Sequence, residues 1–125
     1  MTSLRILIAD DNEMFQDLIA LFLRGLEGVE IVGTARNGEE AIQAVEQHHP
    51  DVVVIDLNMP YDGATKAPKI IKEKYPVTRV ILCSAYPEEA LQASVTQLQA
   101  DGYISKAVLK AGLMEMVKKE MERKK

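Results

Sequence analysis

Residues able to do chemistry stand at the ends of four apolar runs. Asp10 and Asp11 follow Leu4 to Ala9 (LRILIA), and Asp56 follows Val52-Val53-Val54-Ile55. Ser84 closes Arg79 to Ser84 (RVILCS), and Lys106 follows Asp101 to Ser105 (DGYIS). Each alone has a plain explanation. An Asp after a strand is commonly a turn former or helix cap, a Ser there is a cap, and a Lys is solvated. Their joint placement is harder to explain that way, because three carboxylates crowded at one sheet edge repel one another and need a cation. Oxygen-only ligands with open positions suit Mg²⁺, which keeps several waters and bridges to phosphoryl oxygens. His48 and His49 are adjacent at a helix end, with no third His and no Cys beside them, so they read as surface residues and not as a zinc site. No Gly-rich phosphate loop and no Gly-x-Gly-x-x-Gly follow the first run. The chemistry these residues fit is that of a small phosphoryl group on a metal, beside a Lys that neutralises a further oxygen.

The elements that must position these groups alternate regularly. Val52 to Ile55 is too short for a helix and rich in β-branched residues, as in a buried central strand. Leu4 to Ala9 reads as the first strand. Asn12 then caps a helix, with Glu13 in its first turn. Met14, Phe15, Leu18, Ile19, Leu21 and Phe22 recur there at helical spacing, and Gly25 or Gly28 ends it. Val29 to Ala35 is the second strand. After Asn37-Gly38, Glu39-Glu40 open a helix carrying Ala41, Ile42, Ala44 and Val45, closed off by Pro50. Beyond Asn58-Met59-Pro60 and the loop Tyr61-Asp62-Gly63, a third helix carries Ile70 and Ile71 to about Tyr75. Pro68 is costly in a helix interior, which places it in the first turn. Arg79 to Ser84 is the fourth strand. Pro87-Glu88-Glu89 starts a helix with Leu91, Val95 and Leu98 on one face. Asp101 to Ser105 is a short fifth strand, and a last helix over about 109–123 shows Leu113, Met114, Val117 and Met121. Five strand–helix units imply an α/β fold, a five-stranded parallel sheet doubly wound by helices on both faces. Ligand chemistry in such sheets sits beyond the carboxyl ends of the strands.

Composition agrees with one soluble domain spanning 1–125. The chain has 125 residues, 47% hydrophobic and 27% charged. No apolar run approaches the roughly 20 residues of a membrane span, and the amino terminus lacks a signal-peptide pattern. Cys83 is the sole cysteine, which excludes a disulfide framework. These features point to the cytoplasm. A net charge of -4 argues against non-specific nucleic-acid binding by the domain surface. Five Lys/Arg against two Glu in 118–125 leave the first 117 residues with ten basic and seventeen acidic groups. The basic tail most simply offsets the dipole of the last helix.

With Asp10-Asp11, Asp56, Ser84 and Lys106 in this order on five β/α units, the chain resembles the receiver domain of two-component response regulators, the CheY-like (flavodoxin-like) fold. The stretches Ile31 to Ala41 (IVGTARNGEEA) and Asp56-Leu57-Asn58-Met59-Pro60 are typical of it, and the resemblance covers essentially the whole chain. It implies that Asp56 accepts a phosphoryl group from the phosphohistidine of a histidine kinase or a histidine phosphotransfer protein. It further implies that Asp11, Asp56 and the Asn58 carbonyl ligate Mg²⁺ and that Asp10 holds a water on the metal. Lys106 then pairs with Asp56 and afterwards with the acyl phosphate, and Ser84 bonds a phosphoryl oxygen after transfer. Tyr103 matches the family's switch aromatic, while Asn58 and Tyr86 tune dephosphorylation. Such a domain is a phosphoacceptor switch with weak self-phosphorylation and autodephosphorylation, not an enzyme in the ordinary sense. Its readout face, the fourth helix, fifth strand and fifth helix, includes Leu91, Val95, Tyr103 and Val108. A downstream protein or output domain binds there, or the domain forms a phosphorylation-dependent homodimer, with no direct nucleic-acid or membrane contact.

Two positions depart from the family pattern. Ala107 follows Lys106 where most members have a proline with a cis peptide; without proline the cis form costs about 2.5–4 kcal/mol, leaving the bond trans or strained. Tyr61 alone separates Pro60 from Asp62-Gly63, so the shape of the 60–69 region is expected to differ. A stand-alone receiver and a receiver portion of a longer DNA-binding transcription regulator both fit the sequence. A small phosphohydrolase with Asp56 as nucleophile fits poorly, since a haloacid-dehalogenase-type enzyme wants Asp at position 58 and a cap domain.

Overall fold

The computed structural model describes residues 3–59 and 63–124, the side chains of 63–65 excepted. Five strands alternate with five helices among them: β1 (Leu4–Ala9), α1 (Glu13–Arg24), β2 (Val29–Ala35), α2 (Gly38–His48), β3 (Val52–Asp56), α3 (Gly63–Lys74), β4 (Arg79–Ser84), α4 (Glu88–Leu98), β5 (Gly102–Ser105) and α5 (Leu109–Lys124). A 3₁₀ turn, Lys106–Val108, joins β5 to α5. The strands pair in parallel in the order β2-β1-β3-β4-β5. Every carboxyl end therefore points to one edge, and the strand order reverses between β1 and β3, the switch point where such sheets bind ligands.

Side-chain alternation along the strands divides the core in two. Leu4, Ile6, Ile8, Val52, Val54, Ile81 and Cys83 face α1 and α5. Leu7, Ala9, Val53, Ile55, Val80 and Leu82 face the side of α2, α3 and α4. Every residue of β3 is buried, as its β-branched run predicts.

α1 is rotated from the face its apolar residues suggest. Gln16, Ile19, Ala20 and Leu23 are buried, whereas Met14 is 80% exposed and Leu21 64%. The helix is apolar on two sides, and the sheet takes the side with the small Ala20 on it. Gly25 caps α1, and Gly28 takes the left-handed conformation at φ 80° before β2. Pro68 is the sixth residue of α3 and not in its first turn. It is buried there, so packing offsets the missing N–H bond. The expected unusual shape of the loop falls largely on residues 60–62, outside the described residues. No described peptide bond is cis, so Lys106–Ala107 is trans. Ser105 Oγ accepts from the Ala107 N–H at 3.2 Å, tightening the turn a proline would otherwise shape.

At the amino edge of the sheet, Asp101 joins several elements. It accepts from Lys72 Nζ at 2.9 Å, Arg79 Nη1 at 3.2 Å and the Val80 N–H at 2.8 Å. Arg79 Nε also donates to buried Glu120 at 3.1 Å. In the basic tail, Lys124 Nζ lies 2.7 Å from Asp51 and donates to the Ser3 carbonyl at 2.6 Å.

Candidate functional site

The carboxyl edge of β1 and β3 gathers the acidic residues. Ala9 pairs with Ile55, so Asp10 and Asp56 are neighbours one step further on. Asp10 is 1% exposed and Asp56 2%, while Asp11 faces solvent. Oxygens of the three carboxylates lie within 4.8 Å of one another.

Local capping fixes this geometry. Asn12 caps α1, its side chain accepting from the Met14 and Phe15 N–H groups at 2.9 and 3.3 Å. Its own N–H donates to Asp10 Oδ1 at 2.9 Å. Buried Gln16 donates through Nε2 to the carbonyls of Asp10 at 2.6 Å and Ala35 at 3.1 Å, tying the ends of β1 and β2 together. The Asn58 N–H donates to Asp56 Oδ1 at 3.1 Å. Gln16 is absent from the residues expected for the site. Its signal was its place at i of the set Ile19, Ala20 and Leu23 (i+3, i+4, i+7).

Lys106 spans the two buried carboxylates. Its Nζ is 3.2 Å from Asp10 Oδ2 and 3.4 Å from Asp56 Oδ1, and its side chain is 9% exposed. Nζ also lies 3.9 Å from the centroid of the Phe15 ring. Burial raises the pKa of Asp56, helped by the nearby Asp10 charge and opposed by the Asn58 N–H and Lys106. Burial acts to lower that of Lys106, but Asp56 and Asp10 outweigh it and the net shift is upward. Cys83, paired with Asp56 across the strands, is pushed up to about 12 by burial and stays a thiol.

Ser84 is fully buried one residue past the strand partner of Asp56. Its Oγ accepts from the Tyr86 N–H at 3.1 Å, leaving the hydroxyl hydrogen available. Tyr86 and Asn58 are exposed at the rim. Tyr103 is turned to α4 instead: its hydroxyl donates to Glu88 Oε1 at 2.5 Å and accepts from Gln92 Nε2 at 3.3 Å. Its ring is partly buried against the core on the side of α2, α3 and α4, as are Val95 and Leu98. A groove of about 950 Å³ runs beside it along β5 and α5, lined among others by Glu88, Ser105, Val108 and Met116.

The donor set fits a hard divalent cation. All side-chain donors are carboxylate oxygens, the ligand type that Mg²⁺ and Ca²⁺ take. Among the described residues Asp10 Oδ2 has no aligned hydrogen bond; it is buried 3.2 Å from the Lys106 ammonium. One ammonium shared between two buried carboxylates, with a third beside them, leaves negative charge that a second cation would offset.

Comparison with known proteins agrees with this geometry. The family model described as the response regulator receiver domain matches residues 6–118. The transcriptional regulatory protein DegU of Brevibacillus brevis is 30% identical over 115 residues, 92% of this chain and 49% of that protein. The oxygen regulatory protein NreC of Staphylococcus haemolyticus is 36% identical over 104 residues, 82% of this chain and 48% of that protein. The chain thus spans about half the length of these curated relatives. Among solved structures, the signal receiver domain of the response regulator NarL from Mycobacterium tuberculosis superposes with a TM-score of 0.86 at 26% identity, covering 95% of this chain and 96% of that one. The REC domain of AraT, a response regulator from Geobacillus stearothermophilus, gives 0.82 at 29% identity, covering 98% and 95%. With five parallel strands, an acid cluster at their carboxyl edge and a family match over most of its length, the chain belongs to the response regulator receiver domain family.

Proposed function

We propose that the domain receives a phosphoryl group on Asp56 and signals its presence at the α4–β5–α5 face. The observation that carries this reading is Lys106, whose ammonium lies 3.4 Å from Asp56 and 3.2 Å from Asp10 at the edge where three carboxylates meet. In the transfer an Asp56 carboxylate oxygen forms a bond to phosphorus as the donor's P–N bond breaks, and the leaving imidazole takes a proton. Asp10, Asp11, Asp56 and the Asn58 carbonyl would hold a Mg²⁺ ion, which supplies charge neutralisation for the phosphoryl oxygens. The protein's own work is positioning and electrostatics. The Asn58 N–H holds Asp56 in place, Lys106 neutralises an equatorial oxygen, and the Ser84 hydroxyl donates to another after transfer. Exposed Asn58 and Tyr86 flank the path of the water that hydrolyses the acyl phosphate, so they tune its lifetime. The activity is that of a switch, with only weak self-phosphorylation and autodephosphorylation.

The donor is a histidine kinase or histidine phosphotransfer protein, and the domain, spanning 1–125, acts in the cytoplasm. No described helix is long and apolar enough to cross a membrane. Movement of Ser84 on phosphorylation frees space that Tyr103 enters, releasing Glu88 and Gln92 and reshaping the adjoining groove for a downstream partner, an output domain or a second copy. A second reading, the receiver portion of a longer DNA-binding transcription regulator, is favoured by the name and length of DegU, half of which this chain spans. Reading the gene beyond Lys125 separates the two. The phosphoacceptor reading is tested with acetyl phosphate and Mg²⁺: intact-mass analysis should show one added phosphoryl group on wild type and none on Asp56→Asn. No gain on wild type under conditions that label a control receiver overturns it.

A further inference from the structure

Lys106 has a third neighbour besides its two carboxylates. Its ammonium stands 3.9 Å from the Phe15 centroid, well inside the roughly 6 Å over which an aromatic face attracts a cation. The lysine side chain is only 9% exposed, and such contacts are strongest when desolvated. Phe15 is set by the same loop that carries Asp10 and Asp11. Its N–H donates to the Asn12 side chain, and the next residue, Gln16, is anchored to the Asp10 and Ala35 carbonyls. Of the neighbouring apolar residues of α1, Met14, Leu18 and Leu21 face water, whereas Phe15 is half-buried against the core and the lysine.

The two kinds of neighbour behave differently once the pocket is loaded. Asp10 and Asp56 attract Lys106 through charge, and any cation that binds them weakens that attraction. The ring attracts the ammonium through its quadrupole and is unaffected by neutralisation of the carboxylates. We propose that Phe15 is a positioning residue whose ring keeps the Lys106 ammonium beside Asp56 during phosphoryl transfer, when the carboxylates are otherwise engaged. This rests on Asp56 as the phosphoryl acceptor. The rival is that Phe15 only fills space between α1 and the core, a role leucine would largely preserve.

Three substitutions separate these: Phe15→Leu, Phe15→Tyr, and fluorinated phenylalanines placed at position 15, which keep the shape and weaken the face. The first readout needs neither metal nor phosphate. The ε-methylene protons of Lys106 should show a ring-current upfield shift in wild type and Phe15→Tyr that is lost in Phe15→Leu. The second is the rate of acetyl phosphate uptake with Mg²⁺. It should fall about 3–10-fold in Phe15→Leu, decline stepwise with fluorine count, and return to within about twofold of wild type in Phe15→Tyr. Uptake in Phe15→Leu matching wild type, or a flat fluorine series, overturns the proposal. Absence of the upfield shift in wild type overturns it too, whatever the kinetics. Failure of wild type to take up any phosphoryl group refutes the Asp56 reading instead, while the metal-free shift still decides whether the ring seats the lysine.

Discussion

Replacing Asp56 with Asn should stabilise the metal-free protein although it removes an ion pair. At an effective dielectric of about 20, the Lys106 ammonium 3.4 Å away contributes roughly 5 kcal/mol of attraction to the Asp56 carboxylate. Asp10, with an oxygen no more than 4.8 Å away, opposes it by roughly 3.5 kcal/mol, and solvent-screened Asp11 adds about 1 kcal/mol. The Coulomb contributions nearly cancel. What remains is the desolvation of a carboxylate left 2% exposed, a cost of about 1–3 kcal/mol. Asn keeps the oxygen that accepts from the Asn58 N–H and carries no charge to desolvate. Urea unfolding in EDTA should therefore show Asp56→Asn more stable by about 1–3 kcal/mol. Mg²⁺ should narrow the gap, since it stabilises the wild-type fold by binding it. The pH dependence has a definite sign. Because the folded pKa of Asp56 lies above the ordinary 3.8, the folded state holds this proton more tightly than the unfolded chain. Wild type loses stability from this group as pH rises from about 3.8 through the folded pKa, so the variant's advantage is small in acid and grows as pH rises. An Asn variant equal to or less stable than wild type in EDTA at pH 7 would refute the reasoning.

Other parts of the fold give their own expectations. Asp101→Ala leaves Lys72 and Arg79 without this carboxylate in a part-buried cluster and should destabilise by about 2 kcal/mol or more in urea unfolding, with little effect on the carboxyl edge. Gln16→Leu removes the donors to two carbonyls at the ends of β1 and β2. It should cost about 2 kcal/mol, and hydrogen exchange should quicken at Asp10 and nearby amides while β5 is unaffected. Glu88→Ala removes the acceptor of the Tyr103 hydroxyl. Ring resonances of Tyr103 should then report a population shift of about 2–5-fold away from α4, whereas an unchanged spectrum would mean that packing against the apolar core alone holds the ring.

The sheet was legible because its strands are apolar runs bounded by turn residues, and β1, β2 and β4 begin and end where those runs do. The acid cluster was legible through topology: in a parallel sheet, residues that follow strands must share an edge. Helix orientation was harder. α1 is apolar on two sides, and only docking onto the sheet decides that Gln16, and not Met14, goes inside. Pro68 misled because backbone cost was weighed without the burial that offsets it. The seat of Lys106 on Phe15 joins residues from opposite ends of the chain, and no local pattern encodes it. The turn of Tyr103 toward α4 depends likewise on Glu88 and Gln92 presenting polar groups at the right height on a neighbouring helix.

The central claim is that Asp56 carries the phosphoryl group. It is tested most directly by treating the protein with acetyl phosphate and Mg²⁺, trapping the acyl phosphate with borohydride, and mapping the reduced residue by peptide mass spectrometry. Reduction of an aspartyl phosphate leaves homoserine in its place. The account predicts homoserine at position 56, abolished by EDTA and by Asp56→Asn. Homoserine at Asp10 or Asp11, or trapping that persists in Asp56→Asn, would contradict it.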